Sequence, residues 1–206
     1  MQAFTRVSGV AAALPHANLD TDQLMPKQFL RGIDRRTGLA EGFLFDMRFE
    51  APGRKRRDFV LNRAPWDRAV VLITGPNFGC GSSREHAVWG LRELGLRCVI
   101  GPSFGGIFAD NCTRNGVPAL TVPMAETERL LALAADAARC EISVDLERQT
   151  IATPADGREL RFEIDPLRRD MLLRGLDAVG LTLQYADDIR RFERDHLAAQ
   201  PWLAGG

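Results

Sequence analysis

The sequence has no surplus of acidic or basic side chains and no long apolar run. Its 206 residues carry 27 basic and 27 acidic side chains, so the formal net charge is zero. Because nucleic-acid and membrane-surface proteins usually need a basic surplus, this balance argues against both kinds of partner. No apolar run approaches the ~20 residues that a helix needs to cross a bilayer. The 45% share of hydrophobic residues is ordinary for a globular protein with a buried core.

Cysteines are few, and none of them is spaced as C-x-x-C, the pattern of many zinc and redox sites. They are Cys80, Cys98, Cys112 and Cys140. Their spacing gives no zinc motif and no disulfide framework, so we expect reduced thiols and no metal bound by this chain. The first residues also lack the basic and apolar regions of a secretory signal peptide. Together these absences predict a cytoplasmic protein.

Apolar periodicity predicts alternating strands and helices through the middle of the chain. A strand is expected first, at residues 4–13. Short apolar runs then lie at 69–74, 97–100 and 119–122, and helical faces follow at 87–94, 107–112 and 127–138. This β-α-β-α-β order predicts a parallel sheet with right-handed crossovers.

The period of the pattern changes to two after Cys140. Residues 142–146 and 160–164 alternate apolar with polar side chains on either side of an Asp156-Gly157 turn. Such alternation is typical of half-buried strands joined by tight turns. We therefore expect an antiparallel pair or a three-stranded meander here.

Two further helices are predicted near the carboxyl terminus. The first lies between Asp165, a suitable N-cap followed by proline, and Gly175, a suitable stop. The second is amphipathic and runs from about residue 185 to 197. Its apolar side chains, Ile189 and Phe192 among them, are expected to face inward.

These elements predict a single α/β domain over residues 1–206, with a mostly parallel central sheet and an added antiparallel section. Glycine and proline breaks make residues 31–64 an irregular loop region, whose basic run at 54–57 is expected to be exposed. Residues 185–206 form a carboxyl-terminal helix and tail. The sequence contains no internal repeat and no low-complexity linker.

A glycine-rich turn joins the strand at 69–74 to the next helix, and it carries residues that could do chemistry. In parallel sheets, ligands bind outside the carboxyl ends of the strands. Gly79 and Gly81 allow a sharp bend that brings backbone amides, that of Cys80 among them, toward a ligand. The helix is expected to begin near Ser83, and its amino end favours an anion.

Three side chains of this turn suit a carboxylate substrate. Arg84 offers a bidentate fork, with the hydroxyl of Ser83 beside it. Among amide donors and next to a guanidinium, the Ser82 alkoxide would be favoured relative to water, which would make Ser82 a base or a nucleophile. The same residues fit a capping box in which Ser82 caps the helix and Glu85 bonds back, so a purely structural role stays open.

Other chemical motifs in the chain are absent or incomplete. The P-loop, the third glycine of a dinucleotide fingerprint and the G-x-S-x-G nucleophile elbow are all missing. Cys80 as a nucleophile has no assignable partner histidine. His86 falls within the helix, where local packing is expected. A serine hydrolase would also lack a credible triad.

The turn nevertheless resembles a known family. Residues 75–87 read G-P-N-F-G-C-G-S-S-R-E-H-A, which is similar to the signature of the swivelling domain of the aconitase superfamily, and most closely to the small subunits of 3-isopropylmalate dehydratase. Residues 18–30, 58–62 and 102–116 resemble further blocks of that family. The likeness covers most of residues 1 to about 195. Residues 54–57 and the Gly105-Gly106 pair depart from the usual pattern.

This resemblance implies a division of labour between two chains. A separate large subunit would hold a 4Fe–4S cluster that acts as a Lewis acid on the departing hydroxyl, in a heterodimer or heterotetramer. This chain would bind no cofactor itself and would supply Ser82 as the base and Asp22 as an active-site or neighbouring carboxylate. Ser83, Arg84 and Arg31 would bind a small hydroxy dicarboxylate substrate. The activity implied by this resemblance is that of a hydro-lyase in leucine biosynthesis.

Several alternatives remain open on the sequence. A related hydro-lyase subunit, of the homoaconitase or the methylmalate and citraconate type, fits the same turn. A noncatalytic anion-binding scaffold subunit would keep the helix cap and lose the serine chemistry. An RNA-binding role has little support, because the net charge is zero and there is one short basic run.

Overall fold

Strands and helices alternate along the described chain, residues 1–30 and 38–203 of a computed structural model. The strands are β1 (Arg6–Leu14), β2 (Phe49–Ala51), β3 (Arg54–Lys55), β4 (Val71–Thr74), β5 (Cys98–Gly101), β6 (Ala119–Thr121), β7 (Glu141–Asp145), β8 (Thr150–Thr153) and β9 (Arg158–Arg161). The α-helices are α1 (Thr21–Leu24), α2 (Leu39–Gly42), α3 (Phe45–Arg48), α4 (Glu85–Glu93), α5 (Gly106–Arg114), α6 (Met124–Ala134), α7 (Pro166–Arg174), α8 (Ala178–Leu183) and α9 (Ala186–Ala199). This order confirms the predicted α/β class.

The main sheet has seven strands in the order β6-β5-β4-β1-β7-β8-β9. Strands β6, β5, β4 and β1 run parallel to one another, and β1 pairs with β7 in the antiparallel sense. From β7 onward the sheet continues as a three-stranded antiparallel meander. The mostly parallel centre with an antiparallel addition is therefore confirmed, and β1 is the strand that joins the two parts.

The central parallel strands β4 and β5 are buried on both faces, and their successive side chains point to opposite sides of the sheet. In β4, Leu72 packs on one side with α4 and α5, whereas Val71 and Ile73 pack on the other side with α6 and the meander. All four residues of β4 are buried. This explains why the strand appears in the sequence as an unbroken apolar run rather than as an alternating one.

Helix α7 begins and ends where the sequence predicts. The Asp165 carboxylate accepts a hydrogen bond of 3.0 Å from the backbone amide of Arg168, with proline in the first turn. Gly175 ends the helix with φ of +67°, a left-handed conformation that favours glycine. The predicted caps are thus confirmed by their geometry.

Short elements occupy the described part of residues 31–64, where the sequence predicts irregular structure. They include α2, α3 and the β2–β3 hairpin, whose basic residues are exposed as expected. The buried Arg48 guanidinium donates to the carbonyl of Phe43 at 2.9 Å, and burial lowers the pKa of Arg48 to about 10. Because that pKa still lies well above neutrality, Arg48 stays a cation that organises this segment.

The carboxyl end of α4 holds the start of α2. The Glu93 carboxylate accepts hydrogen bonds from the backbone amides of Gly38 at 2.6 Å, Leu39 at 2.7 Å and Ala40 at 3.2 Å. A helix start leaves such amides without partners inside the helix, so a carboxylate from elsewhere is a strong cap. The chain that follows residues 31–37 is thereby fixed to α4.

The carboxyl-terminal helix differs from its prediction. Phe192 is 65% exposed and Ile189 is 36% exposed, so the expected inward packing of these two side chains is wrong. The apolar spacing predicts correctly that α9 has an apolar face, but periodicity alone cannot say whether another element covers that face. The short helix α8 has no counterpart among the predicted elements. Within residues 1–30 and 38–203, no helix has the length and apolar content needed to cross a membrane.

Candidate functional site

Three loops meet at the carboxyl edge of the parallel strands. They follow β1, β4 and β5, and the middle one contains residues 77–84, which we call the site turn. The backbone amide of Gly79 donates to the carbonyl of Leu19 at 2.7 Å, which joins the site turn to the first loop. The amide of Gly105 donates to the carbonyl of Phe78 at 2.9 Å, which joins it to the third. The site turn is therefore held from both sides by its main chain.

Two glycines of the site turn adopt conformations that other residues rarely take. Gly79 has φ of +74°, and a Cβ atom there would lie 2.3 Å from Cγ of Phe108. Gly81 has φ of +91°. The neighbouring Gly105 is just as constrained, since a Cβ atom on it would lie 2.3 Å from the carbonyl oxygen of Gly79. These glycines let two loops and a helix approach closely.

Ser82 is exposed at the outer end of the site turn, directly after the bend at Gly81. Its side-chain oxygen lies 3.5 Å from the hydroxyl of Thr21. The Thr21 hydroxyl donates to the backbone carbonyl of Ser82 at 2.7 Å. These two residues are 61 positions apart in the sequence. The fold brings them together and leaves the Ser82 side chain open to solvent.

The capping-box prediction is wrong. Helix α4 begins at Glu85 rather than near Ser83, and Arg84 precedes it in an extended conformation with φ of −132°. Glu85 accepts a hydrogen bond from the side chain of Asn115 at 2.7 Å instead of bonding back. Two residues therefore separate Ser82 from the helix, and its hydroxyl does not serve as the cap.

The amides of the site turn are not equally available to an anion. The amide of Gly79 donates to Leu19, so this residue shapes the turn and does not offer its N–H group to a ligand. Cys80 is half-buried, and its thiol lies 3.5 Å from the carbonyl of Asn18. Gly81 and Ser83 are exposed, which leaves the outer part of the predicted anion-binding turn facing solvent.

Arg84 and Asp22, predicted from separate segments, lie against each other. The Nη2 atom of Arg84 forms an ion pair with Oδ1 of Asp22, and its Nη1 atom donates to the carbonyl of Met25 at 3.1 Å. The Arg84 side chain is 19% exposed, whereas that of Asp22 is 63% exposed. The guanidinium is thus anchored from beneath, and its carboxylate partner faces outward. Arg31, the remaining predicted substrate contact, lies outside the described residues.

His86 packs locally, as its position in the helix predicts. Its ring lies 4.7 Å from the ring of Trp89, measured between centroids. Trp89 in turn donates to the side chain of Asn115 at 3.0 Å. These contacts belong to the packing of α4 against α5.

Sequence reasoning missed several residues that shape this site. Asn18 and Asn77 both have φ of +56°, and the Asn77 side chain donates to the Asn18 side-chain oxygen at 2.8 Å. The Ser103 hydroxyl accepts from the backbone amide of Asn77 at 2.8 Å. Thr21 is the fourth of these residues. Asparagine is common at left-handed backbone positions, so the sequence gives some indication of the conformation at Asn18 and Asn77. It gives no comparable indication for Thr21 and Ser103.

The described residues do not fit a metal centre. Across residues 1–30 and 38–203, no three His, Cys, Asp or Glu side chains are grouped so that they could hold a metal ion. Burial also raises the pKa of Cys98 and of Cys112 above the ordinary thiol range. Thiolates are the ligands of iron–sulphur clusters, and these two buried thiols resist deprotonation.

Family models match the chain in three consecutive parts. A model of the aconitase C-terminal domain matches residues 1–125. A second model, LeuD_N, matches residues 128–166. A third, of the C-terminal domain of the 3-isopropylmalate dehydratase small subunit, matches residues 179–206. The site turn lies within the first match.

Curated proteins resemble the chain over nearly its full length. It is 51% identical to 3-isopropylmalate dehydratase small subunit 1 of Mannheimia succiniciproducens, over 98% of this chain and 99% of that protein. It is 49% identical to the 3-isopropylmalate dehydratase small subunit of Rhodospirillum rubrum, over 98% and 97%. It is 51% identical to that of Phenylobacterium zucineum, over 100% of both chains.

A solved structure resembles the fold. The crystal structure of 3-isopropylmalate dehydratase from Methanocaldococcus jannaschii matches with a TM-score of 0.66 and 24% sequence identity. The match covers 90% of this chain and 99% of the other. At this identity the likeness supports the architecture of the sheet and helices.

Proposed function

Because the chain belongs to the family of 3-isopropylmalate dehydratase small subunits, we propose that it is the small subunit of a hydro-lyase that interconverts 2-isopropylmalate and 3-isopropylmalate in leucine biosynthesis. It acts only together with a large subunit, in a cytoplasmic heterodimer or heterotetramer. The full-length relatives at about half identity support this proposal. The 4Fe–4S cluster of this proposed enzyme belongs to the large subunit, as the family resemblance implies.

Ser82 is the base of this reaction. It takes the proton from the carbon next to a substrate carboxylate, and the electron pair of that C–H bond becomes the double bond as the hydroxyl group leaves. After the intermediate is bound the other way round, Ser82 returns the proton to one carbon of the double bond, and a hydroxyl group from water adds to the other carbon. The exposure of Ser82 at the carboxyl edge of the sheet supports this role, because a base must reach the substrate.

Arg84 and Asp22 act as a pair beside that base. The guanidinium of Arg84 is held by the Met25 carbonyl and by Asp22, so its position is set before the substrate arrives. A substrate carboxylate competes with the exposed Asp22 carboxylate for the fork of Arg84. Ser83 adds a hydroxyl donor, and Arg31 is the proposed contact to the substrate side chain.

The arrangement that carries this proposal is the meeting of Ser82, Arg84 and Asp22 at one edge of the sheet. Its test is an assay of the purified chain mixed with its large subunit and an intact cluster, in which the unsaturated intermediate of isopropylmalate is followed. We expect turnover in the mixture and none with either chain alone. Ser82→Ala should lower kcat at least ~1000-fold while the complex still forms.

A matched control is Ser143→Ala, which removes a serine hydroxyl from β7, away from the site turn. We expect normal turnover from this variant. If Ser82→Ala turned over normally as well, the assignment of the base would be wrong. A preference of the mixture for homoaconitate or a methylmalate over isopropylmalate would contradict the proposed substrate.

Arg84→Lys separates binding from proton transfer. Lysine keeps the charge but loses the bidentate fork and one of the two anchoring contacts. We expect the KM for isopropylmalate to rise about tenfold or more, with a smaller change in kcat. An unchanged KM would remove Arg84 from the substrate site.

A further inference from the structure

Thr21 bonds to the chain on both sides of the bend at Gly81. Its backbone amide donates to the carbonyl of Cys80 at 2.9 Å, and its hydroxyl donates to the carbonyl of Ser82 at 2.7 Å. Thr21 is only 2% exposed, and its hydroxyl bond to the Ser82 carbonyl is part-buried. One buried residue therefore fixes the peptide groups before and after the bend.

The second of these bonds determines where Ser82 lies. Gly81 has φ of +91° and Ser82 is exposed, so little packing holds the serine in place. The single proton of the Thr21 hydroxyl is directed to the Ser82 carbonyl. The same Thr21 oxygen lies 3.5 Å from the Ser82 hydroxyl oxygen, where either hydroxyl could be the donor. Thr21 thus acts on both the main chain and the side chain of Ser82.

We propose that Thr21 is a positioning residue for Ser82, holding the serine oxygen at the place from which it exchanges a proton with the substrate. This inference rests on the proposed role of Ser82 as the base. Thr21 contacts no substrate itself and acts through the serine. A shift of the serine oxygen by about 1 Å would lower the reaction rate strongly, because proton transfer needs close alignment.

The test compares Thr21→Val, which keeps the shape and loses the hydroxyl, with Thr21→Ser, which keeps the hydroxyl. In the mixture with the large subunit, Thr21→Val should lower kcat about 100-fold, with KM for isopropylmalate within about threefold of the wild type. Thr21→Ser should recover most of that loss. The control is Thr127→Val, because Thr127 is also fully buried and donates to a backbone carbonyl, that of Pro123, away from the site.

A double variant decides whether Thr21 acts through Ser82. Adding Thr21→Val to Ser82→Ala should leave the residual rate unchanged, because the group being positioned is already absent. If Thr21→Val does not assemble with the large subunit, Thr21→Ala takes its place with the same expectations. A normal kcat in the hydroxyl-free variant, a change in KM alone, or a further loss in the double variant would overturn the inference.

The outcomes also separate this inference from the proposed function. If Ser82→Ala is inactive and Thr21→Val is normal, the positioning role fails while the base remains. If Ser82→Ala is fully active, the assignment of Ser82 as the base is wrong, and the positioning role that rests on it is wrong as well. If Thr127→Val lowers kcat as much as Thr21→Val, the effect reflects a general loss of packing and the positioning role is wrong.

Discussion

Two turns of the same sheet are held in opposite ways. The site turn, residues 77–84, is fixed by bonds of its main chain to the loops on either side, to carbonyls such as that of Leu19 and to the hydroxyls of Thr21 and Ser103. Its side chains at Ser82 and Ser83 remain exposed. The turn that joins β8 to β9, residues 154–157, is fixed mainly by side chains.

Asp156 is the centre of that second turn. Its carboxylate accepts from the Thr153 hydroxyl, from Nη1 of Arg129 at 2.6 Å and from the backbone amide of Arg158 at 3.3 Å. Arg129 also pairs with Glu126 at 2.8 Å. The Asp156 carboxylate is thereby engaged by groups of the protein itself.

The difference shows how a turn can be rigid and still be free to bind. A turn held by its main chain leaves its side chains available to a substrate, as at Ser82 and Ser83. A turn that is held by its own charged side chain does not have that side chain free to bind a substrate. The comparison predicts that substitutions in the site turn affect stability through backbone shape and activity through side chains, whereas substitutions in the β8–β9 turn affect stability alone.

The largest effect is expected from Gly79→Ala. The new methyl group would overlap Phe108, and φ of +74° disfavours alanine, so the free energy of unfolding should fall by about 3 kcal/mol or more. Gly157→Ala is the control in the other turn. Gly157 has φ of +66° with open space around its Cβ position, so only the backbone cost of about 1–2 kcal/mol should appear. If urea denaturation showed the same loss of unfolding free energy for Gly79→Ala and Gly157→Ala, the comparison of the two turns would be contradicted.

A smaller loss is expected from Thr153→Val in the β8–β9 turn. Thr153 is buried, and its hydroxyl bonds to the Asp156 carboxylate, so its removal should lower the free energy of unfolding by about 1–2 kcal/mol. Turnover in the mixture with the large subunit should stay at the wild-type level. A loss of kcat without a loss of stability would show that this turn takes part in the reaction.

Acid should weaken the β8–β9 turn through Asp156. The hydrogen bond from Thr153, and after it those from Arg129 and Arg158, lower the pKa of Asp156 in the folded protein. A lowered pKa stabilises the fold above the unfolded-state value of about 4, and this contribution is lost as the pH falls through the folded value. Asp156→Asn should therefore be less stable than the wild type at pH 7. The difference should shrink below pH ~4 in urea titrations, and a difference independent of pH would be inconsistent with this.

The smallest effect on stability is expected from Ser83→Ala. Ser83 is exposed, so the free energy of unfolding should change by less than about 0.5 kcal/mol. The KM for isopropylmalate should nevertheless rise severalfold, because one donor to the substrate carboxylate is removed. A stability loss comparable to that of Gly79→Ala would mean that the Ser83 side chain also holds the site turn.

Most of the sheet could be predicted from the sequence because its signals are local. The apolar run that becomes β4 has strand length and is bounded by glycine and proline, and the helical face predicted after it becomes α4. Alternation predicts the meander, and the cap at Asp165 predicts the start of α7. In each of these cases, the residues that fix the conformation are neighbours in the chain.

The exceptions involve contacts between distant residues. Ser82 to Glu85 has the pattern of a capping box, but the pairing of the site turn with residues 19–21 draws Ser82 away from the helix. Thr21 gives no signal because its partner is 61 positions away. The apolar spacing of α9 predicts a buried face that is in fact exposed, because periodicity measures the pattern of a helix and not its surroundings. The family resemblance and the turn chemistry together predict the site residues.

The hydrogen bonds of Glu93 to residues 38–40 connect the start of α2 to the helix that follows the site turn. Helix α4 starts just beyond the site turn and ends at the carboxylate that cradles the beginning of α2. A nine-residue helix is a stiff rod of about 13 Å. Any displacement of that rod, for instance when another protein chain docks, would therefore move the site turn and the start of α2 together.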